Sequence, residues 1–306
     1  MTRLLLSCAL LGLTVSSGLT GQAPGANPPR PAVVIDVVAF DRSGAPVMDL
    51  KPSEVEVWIG HFRVPVDTFT VVQPGADERQ GRLFVLLLDD ISVPLQMMAR
   101  VKESARLFVA AMRPGDQMGV VMLNDPVLEM TDDPAKLRRT IDAYNVRATG
   151  VLRADQLGAH VLTTIGTIAG SLTEAGEGRK TIVGIGTGLL DRPIPPPVVG
   201  GDLLPEWIAA MREMSRTNST FYVIDPGGVG STRVDGGDAG FARETGGMAF
   251  VNTNDLRGAA ERIMRESASH YVLRTGSPPV GGSGLRELEL KVSRRGVTVR
   301  ARRAIH

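Results

Sequence analysis

The chain reads as an α/β protein: a doubly wound, mostly parallel central sheet with a small accessory β module. Three observations lead there. First, Arg82 to Ser92 holds an apolar run long enough for a strand buried on both faces, and it ends abruptly in Asp89 and Asp90. Such runs mark central strands of parallel sheets covered by helices. Second, apolar runs alternate with helical periodicities through the middle of the chain, the order that winds a sheet with helices on both sides. Third, residues 32–75 and 285–303 carry short alternating β patterns instead. The module is therefore drawn from the N-terminal segment, with the C-terminal strands as candidates to complete one small satellite sheet.

The bulk numbers allow this. A length of 306 residues suits one large domain, or a domain with a smaller companion. Hydrophobic content of 43% is ample for a core, and with aromatics at 4% its volume comes from Val, Leu, Ile, Ala and Met. Residues 1–23 read as a cleavable signal: Arg3 gives the charge, Leu4 to Val15 the apolar stretch, Ser16 to Gln22 the polar cleavage zone. That stretch, about a dozen residues, falls short of the ~20 that a bilayer span needs. Cys8 comes too early in it to be the first residue of a mature lipoprotein. The mature chain then has no cysteine, hence no disulfide, thiol nucleophile or thiolate metal site. A secreted or periplasmic location follows, with no integral membrane span after cleavage. Losing Arg3 leaves 33 basic against 33 acidic residues, so no net charge draws the protein to nucleic acid or anionic membrane.

The elements follow in order. Residues 24–31 are a Pro/Gly/Ala linker. Within the β module of residues 32–75, Val33 to Phe40 is strand-like, Asp41 to Gly44 a turn, Val55 to Ile59 a clear alternation, and Val64 to Val72 one further extended piece. Gln73 to Gly81 is a polar hinge. The α/β domain is expected over 82–275. Leu83 to Asp89 is its first strand, and Met98, Val101, Ala105, Phe108 and Met112 give the first helix its apolar face. Met118 to Leu123 is a strand, with Val127 to Met130 placed to pair antiparallel with it. Asp132-Asp133-Pro134 starts a helix well, with Leu137, Ile141 and Tyr144 on one face. Ala154 to Leu172 is a helix, Lys180 to Ile185 a buried strand, Pro193 to Pro197 a loop, and Pro205 to Arg216 a helix. Thr220 to Ile224 is a strand ending in Asp225, Phe241 to Thr245 a short helix, Met248 to Val251 a strand, and Leu256 to Ala268 a helix. His270 to Arg274, Leu285 to Val292 and Val297 to Ala301 close the chain as β segments. Around the last of these, the C-terminal cluster Arg294, Arg295, Arg300, Arg302 and Arg303 flanks alternating apolar residues, so it reads as a solvated strand face.

Three segments in this order resemble the von Willebrand factor A-related proteins that many bacteria export. Val34 to Val57, with Val-Ala-Phe-Asp-Arg-Ser-Gly-Ala-Pro-Val-Met-Asp-Leu-Lys-Pro-Ser-Glu-Val at its core, looks like that family's N-terminal β module. Phe241-Ala-Arg-Glu-Thr-Gly-Gly-Met-Ala-Phe250 is similar to a late segment of A domains, and His270 to Arg274 with Glu287 to Arg303 to the closing strands. The resemblance implies a Rossmann-like A domain. It also implies a Mg²⁺ site atop the sheet, built from Asp-x-Ser-x-Ser, a later Thr and a fourth-strand Asp.

The residues depart from that pattern. With Asp89 as the motif's acid, the two Ser positions hold Ile91 and Val93; with Asp90, Ser92 fits the first but Pro94 takes the second. Val151 stands at the Thr position with Thr149 two residues early, and Thr187-Gly188 replaces the late Asp-Gly. Mg²⁺ asks for an octahedron of hard oxygens, and this set is thin. For Asp89 and Asp90 two readings stand: residual metal ligation, or one carboxylate capping its loop while the other faces water. Ser92 reads as the N-cap of the first helix before it reads as a ligand. Asp225 either faces the same crevice or begins the turn Pro226-Gly227-Gly228.

Gly184-x-Gly186-x-Gly188 lacks phosphate-cradle spacing and runs into Pro. The four His show no metal spacing, and there is no nucleophile elbow. The sequence thus favours a non-enzymatic exported protein that binds another protein through the top of the sheet, with no cofactor. The alternatives are Mg²⁺-dependent adhesion through Asp89, Asp90 and Ser92, and a metal-dependent hydrolase that adds Asp225.

Overall fold

Period-two alternation decides the fate of the terminal strands, because a sheet with one apolar face must bury it against another layer. In the computed structural model, residues 33–73, 81–146, 154–176, 178–190, 203–230, 237–276 and 284–305 are described, and all fall within one compact unit, Pro31–His306. The expected signal, the linker, the loop bearing Thr149 and Val151, and the Pro193 to Pro197 loop lie outside them.

At the N-terminal end come β1 (Val33–Phe40), β2 (Val55–Ile59), β3 (Phe62–Val64) and β4 (Val66–Val72). The single extended piece expected from Val64 to Val72 is two strands. Pro65 lacks the N–H that would continue a ladder, and the strands on either side of it serve different sheets.

The central unit contains β5 (Leu83–Leu88), α1 (Met98–Ala110), β6 (Gln117–Met122), α2 (Pro134–Ala143), α3 (Ala154–Ser171), β7 (Lys180–Ile185), α4 (Leu204–Arg216), β8 (Ser219–Ile224), α5 (Gly237–Glu244), β9 (Ala249–Phe250) and α6 (Leu256–Ala268). Its five strands are all parallel, in the order β6-β5-β7-β8-β9. The apolar run of β5 explains the two-sided burial. Phe84, Leu86 and Leu88 enter one core with α1, α2 and α6, while Val85 and Leu87 enter the opposite core with α3, α4 and α5. Val127 to Met130 does not pair as a strand; one bridge, Met118 to Thr131, stands in its place. Asp133 caps α2 by accepting from the Ala135 N–H at 2.7 Å, with Pro134 following it.

The chain closes with β10 (His270–Thr275), β11 (Arg286–Val292), β12 (Thr298–Arg300) and β13 (Ala304–Ile305). Here two expectations are corrected. The terminal segments form two four-stranded sheets, β12-β1-β10-β4 and β13-β11-β2-β3, not one. And β10, expected inside the α/β domain that ran to residue 275, pairs antiparallel between β1 and β4. Its alternation is the reason: Tyr271 and Leu273 join Ile35, Val37 and Ala39 of β1, and Val57, Ile59 and Leu288 of the second sheet, in a third core.

The outer face of the first sheet meets the lower edge of the parallel sheet through a buried polar layer. Asn218, in the left-handed region at φ 53°, donates from Nδ2 to Asp36 at 3.0 Å and accepts from Arg302 at 2.7 Å. Arg302, 4% exposed, also donates to the carbonyls of Met214 and Ser215 at 3.4 and 3.2 Å. It therefore satisfies the C-terminal carbonyls of α4 and complements that helix's dipole. Glu266 is buried and accepts from Arg262, Arg300 and the Tyr222 hydroxyl. Arg294 pairs with Asp49 and Glu54. Of the arginines expected to line a solvated face, Arg295 and Arg303 are exposed, whereas Arg294, Arg300 and Arg302 fasten the chain to Glu54, Glu266 and Asn218.

Candidate functional site at the carboxyl edge of the sheet

β5 leads to α1 on one face of the parallel sheet and β7 to α4 on the other, although the two strands are neighbours. Ligands of open α/β sheets enter at such a switch point. Asp89 occupies it. Its N–H donates to the Ile185 carbonyl at 3.0 Å, carrying the β5–β7 ladder one residue further. Its carboxylate turns back on its own loop: Oδ1 accepts from the N–H groups of Ile91 and Ser92 at 3.0 and 2.8 Å, and Oδ2 from the Ser92 hydroxyl. A Cβ on Gly186 would stand 2.5 Å from that of Asp89, so only glycine fits there and Asp89 itself fills the crevice. The Tyr144 hydroxyl closes the floor by donating to the Asp89 carbonyl at 2.6 Å.

Burial pushes the Asp89 carboxyl above its usual range; the bonds from Ser92 and Ile91 oppose this, and the neighbouring Asp90 adds to it. The Tyr144 phenol is likewise raised, chiefly by burial and then by Asp89 and Asp90.

Asp90, 2% exposed, does not face water. Its Oδ1 accepts from the Asn124 N–H at 2.8 Å, tying the exit of β5 to that of β6. Asp225 is also 2% exposed and turns the chain after β8, accepting from the Gly227 N–H at 2.7 Å. The structure brings Asp89 and Ser92 into direct contact and leaves Asp90 and Asp225 with bonds of their own. Ser92 is not the cap of α1. Pro94 is extended at ψ 141°, a 3₁₀ turn over Leu95–Met97 follows, and the helix opens at Met98 with no side-chain cap bond. His160, set aside in the sequence, reaches the same edge and donates from Nε2 to the Leu123 carbonyl at 2.7 Å.

Both Asp89 oxygens and the Ser92 hydroxyl are therefore spent on loop geometry. Among the described residues no three His, Cys, Asp or Glu side chains gather as a metal-binding group. Mg²⁺ requires an octahedral oxygen shell; of the described residues expected to contribute to one, Asp89 and Ser92 are in direct contact.

The same edge carries features the sequence reading passed over. Leu95, Val127 and Val229 are 68%, 68% and 69% exposed and lie on the connections leaving β5, β6 and β8. Arg100, in the first turn of α1, donates to Asn254 Oδ1 at 3.4 Å, and the Val229 N–H reaches the same oxygen at 3.4 Å. A readable signal was there: Val229 stands between Gly228 and Gly230, and an aliphatic side chain inside a glycine turn has no core to enter.

No family model matches the chain, and no curated protein matches it. Among solved structures, the D319A mutant of the PilB minor pilin from Streptococcus sanguinis is similar at 10% identity and a TM-score of 0.40, over 63% of this chain and 63% of that one. This chain thus spans less than two thirds of the pilin chain, and the likeness is too slight to carry an argument.

Proposed function

We propose that the protein is exported and non-enzymatic, and that it binds another protein through the carboxyl edge of its parallel sheet. One observation carries the reading: of four exposed large hydrophobics among the described residues, Phe62, Leu95, Val127 and Val229, three sit on the connections leaving that edge. Exposed aliphatic groups gathered on the connections of one sheet edge make that edge the candidate interaction surface. The commitment of Asp89 and Ser92 to their own loop favours a rigid platform over a reacting centre. The resemblance to exported von Willebrand factor A-related proteins and the signal-like residues 1–23 support the assignment outside the inner membrane.

The test is substitution of the edge. A partner cross-linked to the wild-type chain in a periplasmic extract should be lost with Leu95→Asp or Val229→Asp and kept with Phe62→Asp on the β2–β3 hairpin. Capture that survives the edge variants would sink the reading. The cation-dependent version of it, through Asp89, Asp90 and Ser92, requires heat on calorimetric titration with Mg²⁺. The hydrolase version further requires ester turnover that Asp225→Ala removes.

A further inference from the structure

Resting on that reading, we propose that Arg100 makes the edge a receptor for an acidic side chain of the partner, an Asp or Glu carried on a segment with aliphatic neighbours. Arg100 stands where a cation is disfavoured, in the first turn of α1 at the positive end of the helix dipole, and no acidic residue shares that turn. Its Nε is shut off from water without a partner, and among the described residues its guanidinium has one bond, the long contact to the neutral Asn254 amide. No carboxylate among the described residues pairs with it. Asp255 is nearby in sequence to Asn254 but accepts from the Gly258 N–H at 2.8 Å as the cap of α6.

Of the other arginines, Arg82, Arg294 and Arg300 each meet a carboxylate, and buried Arg302 is held by carbonyls and Asn218. An unpaired guanidinium at a surface is a bidentate fork for carboxylate. Gly228 lets its turn pack closely on this pair: at φ 77°, a Cβ there would stand 3.1 Å from Arg100 Nη1 and 2.3 Å from Asn254 Oδ1. Leu95 precedes Arg100 by one turn and Val229 follows Gly228, so aliphatic surface lies on two loops around the fork. A carboxylate on a segment with aliphatic neighbours would meet both the fork and this apolar surface.

The experiment is peptide display against the full chain, with binding of the selected peptides measured by fluorescence anisotropy. The expected result is enrichment of Asp or Glu flanked by aliphatic residues. Arg100→Gln should weaken these peptides by about tenfold or more, as should Glu→Gln in the peptide, with Arg100→Lys between. Because Arg100 has no charged partner to lose, Arg100→Gln should melt with the wild type; if it does not, Arg100→Lys carries the comparison. Peptides without an acid, peptides held only through a free C-terminal carboxylate, or peptides indifferent to Arg100→Gln but lost with Leu95→Ser and Val229→Ser would overturn the role of Arg100 and leave the surface standing. No enrichment, or binding indifferent to all three positions, would overturn both.

Discussion

His270 is 4% exposed on β10, and its Nδ1 has no partner. Burial lowers its pKa from 6.5 to about 4; the Asp36 carboxylate on β1 opposes the fall, and Arg179, ahead of β7, adds to it. The folded protein thus prefers the neutral ring, whereas the unfolded chain takes up a proton near pH 6.5. Between those two values the unfolded state holds more protons, so stability decreases as pH falls. The loss begins below about pH 6.5 and is complete below about pH 4, where both states are charged. At pH 4.5 it amounts to about 2–3 kcal/mol relative to pH 7.5. Other carboxylates titrate over the same range, so a single pH profile does not isolate it. His270→Leu removes this one group while filling a similar volume. Urea unfolding of both proteins at pH 7.5 and 4.5 should give a pH-dependent loss smaller in the variant by about 2 kcal/mol. Equal losses in the two proteins would refute the argument that a buried neutral imidazole holds this junction.

Three further outcomes are expected. Asn218→Ala removes the bonds to Asp36 and Arg302, leaves both charges buried, and puts a Cβ without side-chain compensation at φ 53°; urea unfolding should register a loss of about 3 kcal/mol, and a loss under about 1 kcal/mol would contradict the linchpin role. Asp89→Ala strands the N–H groups of Ile91 and Ser92, so stability should fall by about 2–4 kcal/mol, with the largest gain in amide exchange over residues 89–95. Millimolar Mg²⁺ should leave the melting temperature of the wild type unchanged; a rise abolished by both Asp89→Ala and Asp90→Ala would restore the cation-dependent reading.

The parallel sheet was legible because its information is local. The run from Leu83 to Leu88 is apolar on both faces, and the caps and periodicities of α2 and α6 sit beside their helices in sequence. β10 was harder. Its alternation says that one face is buried but not against what, and its partners β1 and β4 lie about two hundred residues away. The arginines failed for the same reason. Arg300 and Arg302 flank apolar residues just as solvated charges do, and only the fold brings Glu266, Asn218 and the end of α4 to them. At the edge, a carboxylate capping its own loop was legible, since Asp89 accepts from Ile91 and Ser92 close by in sequence; the burial of Asp90 was not, because its partner, the Asn124 N–H, is 34 residues away.

The two edges of the sheet then divide the work. At the lower edge the buried charges of Asp36, Arg302 and Glu266 are tied to Asn218, Arg300 and Tyr222, and their desolvation is offset only while the β sandwich stays docked. Removing one member leaves the others uncompensated, so that edge resists change. At the upper edge Asp89 fixes the loops from within, which lets their outer surface be chosen for something other than folding. Leu95 and Val229 add nothing to a core, and Arg100 opposes the dipole of its own helix. A surface whose residues are locally unfavourable on a scaffold that does not need them is where sequence and fold disagree, and such disagreements collect at functional sites. Substitutions there should therefore leave stability within about 0.5 kcal/mol of the wild type and alter binding alone, the reverse of what Asn218 or Asp89 would do.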